Sequence, residues 1–147
     1  TNQNKYDAEG YIDDYFKLSI NYAGLLWSSA VAIKKECFNI VGFFREDLSR
    51  GEDLEMWIRL AKNFKIAYLP DIYAIYTTQA ANRACKIDNS INQVLLFFSL
   101  LNMENSHGYE KKYYKHLLHK KCINLIVSKD FKTFIKLIKS YNLDILF

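Results

Sequence analysis

Hydrophobic positions follow two regimes along the chain. Up to about residue 86, short apolar runs alternate with polar segments, and from Ile87 onward the spacing is helical and stays so. In the first regime, Tyr11, Ile12, Tyr15, Phe16 and Leu18 supply one apolar face and predict a helix over residues 6–22. Leu25 to Ile33 is a nearly continuous apolar run, β-branched near its end, and predicts a buried strand. Lys34 to Val41 predicts a short helix stopped by Gly42. After Phe43-Phe44 and a polar loop, residues 53–64 predict another helix. Lys65 to Leu69 predicts a strand broken by Pro70-Asp71, and Ile72 to Tyr76 a second strand running into the polar segment Thr77–Arg83. In the second regime the pattern predicts helices near 88–105, 109–128 and 130–140, with breaks at His107-Gly108 and Ser128-Lys129. The expected organisation is a mixed α/β part over 1–86 followed by an all-helical tail over 87–147.

The helix over 53–64 carries the most chemistry. Leu54, Trp57, Ile58 and Ala61 fall at helical spacing, with Leu60 and Phe64 widening the stripe and Glu55, Arg59 and Lys62 marking the wetter side. At its mouth stand Gly51-Glu52-Asp53. Acids belong there, because the unpaired N–H groups of the first turn and the helix dipole favour negative charge. Asp53 can be an N-cap worth about 1 kcal/mol with Glu52 its solvated neighbour, or the pair can act as a general base toward a hydroxyl nucleophile. From these residues alone both roles stay open.

Composition narrows the class. With 147 residues, half of them hydrophobic, the chain is one domain's worth or a piece of a longer protein. One Pro and five Gly argue against a disordered or low-complexity segment. No apolar run reaches the ~18 residues needed to span a bilayer, and Thr1-Asn2-Gln3-Asn4 has neither a basic start nor an apolar stretch of the signal-peptide kind. Cys37, Cys85 and Cys122 are far apart and have no metal-ligand spacing, so they are expected to be reduced thiols in a cytoplasmic protein. His116 and His119, three apart on one predicted helix, suit a metal only with a third ligand; without one they are solvated side chains. Charge is uneven: residues 109–147 hold nine Lys against three acids, which leaves +6. Since the whole chain carries +4, residues 1–108 carry −2.

The order of several elements resembles the C-terminal half of family 2 glycosyltransferases. The set comprises a strand with Ser28-Ser29, then Ala32 to Phe38, then Val41-Gly42-Phe43-Phe44. Gly51-Glu52-Asp53 follows with Trp57-Ile58-Arg59-Leu60, then Lys65 to Pro70 and Tyr76. The likeness covers about residues 25–83. It implies a GT-A fold, a Rossmann-like α/β sandwich binding a nucleotide-sugar donor and a divalent cation, Mn or Mg. It also implies inverting transfer to a carbohydrate or lipid-linked acceptor in surface polysaccharide or glycolipid synthesis, at the cytoplasmic side of the membrane. Asp53 is then the expected base, with Glu52 its neighbour or an acceptor ligand. Arg59 either pairs with one of these acids or is a surface arginine. Ser28 and Ser29 either approach the acceptor pocket or merely end a strand, and Arg83 either meets the diphosphate or is solvated. The family's strand-end Asp-X-Asp metal motif has no counterpart: Asp13-Asp14 sits on a predicted helix with no buried strand before it. Nor does a histidine follow the last strand, where Thr77-Thr78-Gln79 stands. The donor half is therefore expected upstream of Thr1, on the order of 100 residues, and the chain alone is expected to be catalytically incomplete.

A second function class rests on the tail. Its lysines alternate with Leu117-Leu118, Ile123, Leu125-Ile126, Phe131, Phe134-Ile135 and Leu137-Ile138. Such a stretch can lie on an anionic membrane surface, bind a partner or a second copy of the chain, or simply form a helix bundle with a solvated face. Nucleic acid is not expected, as the tail has no arginine and no recognised motif.

Overall fold

The computed structural model describes residues 9–22, 24–75, 77 and 91–141. In chain order its elements are β1 (Gly10–Tyr11), α1 (Tyr15–Asn21), two 3-10 turns (Ser28–Ala30 and Lys35–Cys37), α2 (Phe38–Val41), α3 (Glu52–Asn63), β2 (Ala67–Tyr68), α4 (Ile91–Leu100), α5 (Gly108–Val127) and α6 (Phe131–Ser140). Helix therefore dominates the described residues, beside one small antiparallel sheet in which Gly10 faces Tyr68 and Tyr11 faces Ala67. A mixed α/β chain with much helix is what this amounts to. Tyr76, Cys85 and the polar segment beyond Thr77 lie outside the described residues.

The early residues depart most from expectation. The helix expected over 6–22 starts only at Tyr15. Residues 10–11 are drawn into β1 instead, and Asp14 caps the helix by accepting the Lys17 N–H at 2.9 Å. The strand expected over 25–33 is not formed. Its backbone is extended at Trp27 and Val31, but between them the Ala30 N–H folds back onto the Trp27 carbonyl at 2.8 Å and makes a 3-10 turn. An extended segment becomes a strand only when another supplies the ladder, and none of the described residues pairs with this one. The same holds for Ile72–Ile75, whose Ile72 and Ile75 are 89% and 90% exposed. Of the strand expected over 65–69, Ala67–Tyr68 pairs, helped by the Ile12 N–H donating to the Ile66 carbonyl at 2.8 Å.

The helical part follows its pattern closely. α5 ends where Lys129 turns left-handed (φ 59°), its N–H bonding the Ile126 carbonyl while the Asp130 N–H bonds that of Leu125. Asp130 then caps α6 through the Thr133 N–H at 3.1 Å. α4 stops at Leu100 rather than near 105, where Asn102 and Asn105 bond each other and Ser106 donates to the Met103 carbonyl.

One hydrophobic core draws on both sides of the division expected near residue 86. It includes Ile12 and Tyr15, the buried face of α3 (Met56, Trp57, Ile58, Leu60) and Tyr113, Tyr114 and Leu118 of α5. Much of it is aromatic: Tyr15 meets Tyr113 edge-on with ring centres 6.0 Å apart, and Phe16 meets Tyr114 at 6.2 Å. α5 thus packs along α1, and an ion pair from Lys62 to Glu110 (2.7 Å) ties it to α3.

Candidate functional site

Gly51 sets the site. Its φ of +80° turns the chain sharply into α3, a conformation most side chains resist, and a Cβ there would come within 3.1 Å of the Phe97 ring. The Gly51 carbonyl accepts the Glu55 N–H at 2.8 Å and starts the helix. Gly51, not Asp53, is therefore the capping residue, and Glu52 and Asp53 are the first two helical positions. The expectation of Asp53 as N-cap is corrected on this point, although its charge still lies at the favoured end of the dipole.

The Asp53 carboxylate is held at both oxygens. Oδ1 accepts the Leu54 N–H at 2.7 Å, and Oδ2 accepts the Ser28 hydroxyl at 3.1 Å. Each oxygen keeps a lone pair for a further donor. The Ser28 contact joins two segments 25 residues apart, and the 3-10 turn at Ser28–Ala30 is what brings the hydroxyl into reach. Ser29 is exposed on the same turn.

Asp53 opens onto a cleft of about 240 Å³ walled by Tyr15, Trp27, Trp57 and Tyr113, and lined also by His116 and Lys120 from α5. The Trp27 ring is half-exposed and packs against Gly24; a Cβ on Gly24 would be 2.7 Å from the ring, so this glycine is what leaves room for the indole. Burial pushes the Tyr15 hydroxyl above its ordinary pKa, as does the nearby Asp53 charge, and burial raises that of Tyr113 further. Both phenols therefore stay protonated across the physiological range. The cleft offers one carboxylate, the His116 and Lys120 side chains, protonated phenols and aromatic faces, a set suited to a polyhydroxylated ligand.

Other expected site residues fall elsewhere. Glu52 is half-buried but does not wall the cleft. Arg59 does not pair with Glu52 or Asp53: it binds Glu55 through two bonds of 2.7 Å, and it donates to the backbone carbonyls of Val41 and Phe43. It therefore straps the residues around Gly42 to α3 and does not face the cleft. Its partner Glu55, expected on the wet side, is buried to 6% exposure. Arg83 lies outside the described residues. His116 lines the cleft rather than standing in solvent, whereas His119 is exposed. Tyr113, His116, Leu117 and Lys120 recur at the spacing of one helix face, a signal present in the sequence.

No group of three His, Cys, Asp or Glu side chains able to hold a metal occurs among the described residues. The divalent cation implied by the glycosyltransferase likeness thus has no ligand set there. No helix of the described residues is long and apolar enough to cross a membrane. Comparisons with protein-family models, curated proteins and solved structures found no match for this chain.

Proposed function

We propose that this chain carries the acceptor side and the general base of an inverting sugar transferase of GT-A type. Asp53 is the base. As an acceptor hydroxyl attacks the anomeric carbon of a nucleotide-sugar, the new C–O bond forms and the bond to the departing nucleotide diphosphate breaks; the hydroxyl proton goes to Asp53. Ser28 fixes the carboxylate plane, and Trp27 supplies a face on which a sugar ring can lie. No step is assigned to Glu52, to Ser29 or to a metal. The observation that carries this is the placement of Asp53: its carboxylate is oriented at both oxygens, stands at the start of α3 and faces an aromatic-walled cleft. The ordered likeness of residues 25–83 to family 2 glycosyltransferases adds support. In the full-length protein, assayed for transfer from a panel of nucleotide-sugars, Asp53→Asn is expected to lower transfer about 10²- to 10⁴-fold while leaving the fold intact. Transfer at the unsubstituted rate refutes the assignment.

A second role, as a membrane-surface module, is favoured by one feature of the tail. Val127 and Phe131 are 77% and 54% exposed on either side of the α5–α6 turn, and Ile123, Ile126 and Ile135 are exposed on the same two helices. Lys120, Lys129, Lys132 and Lys136 are exposed in the same segment. Sedimentation with phosphatidylglycerol vesicles, but not with neutral ones, is the expected result. Loss of that binding in Val127→Glu is expected as well, and a chain that stays in the supernatant with both vesicle types has no such role.

A further inference from the structure

Two basic side chains of α5 line the Asp53 cleft, His116 and Lys120, four residues apart and so neighbours on one helix face. Neither makes an ion pair, a hydrogen bond or a ring contact with any of the described residues. Asp53 is the one acid lining the cleft among the described residues, and its oxygens are taken by Ser28 and the Leu54 N–H, not by Lys120. The helix that carries the pair is firmly seated. Tyr114, Leu118 and Cys122 of α5 are buried and the helix packs along α1, so His116 and Lys120 project from a fixed backbone.

Such a cleft is complementary to a ligand with a hydroxyl at one point, facing the carboxylate, and an anion at another, facing the ammonium and the imidazole. The charge on that anion is limited. Asp53 already places one negative charge in the cleft, and like charges brought together in a partly desolvated site disfavour each other. A phosphate monoester carries about 1.5 to 2 negative charges at neutral pH, against one fixed ammonium. A carboxylate carries one and matches it. The aromatic walls of Tyr15, Trp27 and Tyr113 suit a ring that joins the two groups.

We propose that the acceptor is an acidic sugar, a hexuronate whose carboxylate is held by Lys120 and His116 while one of its hydroxyls meets Asp53. This substrate class rests on the reading of Asp53 as the base. The hydroxyl loses its proton to Asp53 as the new C–O bond forms, and the carboxylate stays ionised and takes no part in bond making. Lys120 and His116 are therefore binding groups, and their loss is read in affinity.

The chain's two tryptophans, Trp27 and Trp57, both line this cleft, so their indole N–H resonances report on its filling. The full chain is titrated with methyl glucuronide, its neutral counterpart methyl glucoside, and glucose 6-phosphate. Methyl glucuronide is expected to shift both resonances and to bind about tenfold more tightly than methyl glucoside, the effect of one hydrogen bond to a charged group. Lys120→Met, which keeps the aliphatic stem, and His116→Gln are each expected to weaken glucuronide binding by about that factor and to leave glucoside binding within about twofold. Lys136→Gln, an equal loss of charge on α6, is expected to leave both within about twofold, as a screened surface charge should. Two separate variants guard against one of them misfolding, and unchanged melting of each confirms that binding alone was altered. The proposal fails if no sugar shifts the indole resonances, if glucoside binds as tightly as glucuronide, or if Lys136→Gln weakens binding as much as Lys120→Met. It fails as well if glucose 6-phosphate binds more tightly than glucuronide, which would make the cleft a phosphate site. Asp53→Asn keeps both groups that hold the carboxylate and is expected to bind glucuronide at least as tightly as the unsubstituted chain. Loss of transfer in Asp53→Asn with no preference for glucuronide keeps the base and overturns the acidic acceptor. Full transfer in Asp53→Asn with Lys120-dependent glucuronide binding removes the base and leaves the acid-binding cleft standing.

Discussion

Asp53 and Glu55 stand two positions apart in the first turn of α3 and carry the same charge in very different surroundings. Glu55 is buried and gripped by Arg59, which also reaches the carbonyls of Val41 and Phe43. Asp53 is half-buried and faces a cleft, with Ser28 as its side-chain partner. The helix itself separates them: two residues are about 200° of rotation, so neighbouring acids project to opposite sides. One side of the turn is thereby committed to structure, leaving the other available for chemistry. If that division is right, substitutions at the two positions report in different assays.

The largest expected effect is on Asp53. Asp53→Asn keeps the shape and an oxygen for the Leu54 N–H but removes the proton acceptor of the proposed transfer. Sugar transfer by the full-length protein is expected to fall about 10²- to 10⁴-fold, with a melting temperature unchanged within error. A drop in melting temperature with transfer preserved would reverse the comparison and make Asp53 structural. On the other side, Arg59→Met is expected to cost about 3 kcal/mol in urea unfolding, because it strands the buried Glu55 carboxylate. The double substitution Glu55→Gln with Arg59→Met is expected to recover part of that loss, since removing both partners leaves no buried charge behind. Equal losses in the single and double variants would mean that the backbone strap, not the ion pair, is what matters.

Gly51 serves both sides, because both acids hang from its turn. Gly51→Ala places a Cβ in a left-handed conformation and against Phe97, and is expected to cost about 1–2 kcal/mol. Here melting temperature and transfer are expected to fall together. A transfer loss without a stability loss would show that the turn aims the carboxylate without contributing to the fold.

How far this was legible in the sequence depends on how local each cause is. α5 and α6 were expected over 109–128 and 130–140 and run Gly108–Val127 and Phe131–Ser140. Their apolar period is continuous, and their boundary is set by neighbours, Lys129 in its left-handed turn and Asp130 bonding Thr133. The segment Leu25–Ile33 carries an equally clear apolar run but needs a partner strand, which no local pattern supplies, and Ser28 instead turns toward Asp53. Arg59 and Glu55 sit at the i, i+4 spacing that favours an ion pair. Their pairing was readable, but the depth at which it is buried depends on where Val41 and Phe43 pack. The wall residues of the cleft divide the same way: the Tyr113, His116 and Lys120 face is periodic, while its meeting with Tyr15 of α1 is a tertiary event. The acids at the helix mouth were visible from the start; the hydroxyl and the aromatic wall that give Asp53 its surroundings were not.

Ser28 tests that last link with the smallest expected effect. Its hydroxyl donates to Asp53 Oδ2 from an exposed turn, so in the proposed transfer it would position the base without touching a reacting atom. Loss of such a bond is worth about 1 kcal/mol, or about fivefold in rate. Ser28→Ala is accordingly expected to lower kcat by about that factor, with KM and melting temperature little changed. Ser28→Thr, which keeps the hydroxyl, is expected to restore the rate. A merely structural serine would show the opposite pattern, with a lower melting temperature and a kcat that Thr does not rescue. Should Ser28→Ala raise KM and leave kcat alone, the hydroxyl would belong to acceptor binding. Asp53 would then owe its aim to the Leu54 N–H and the Gly51 turn alone.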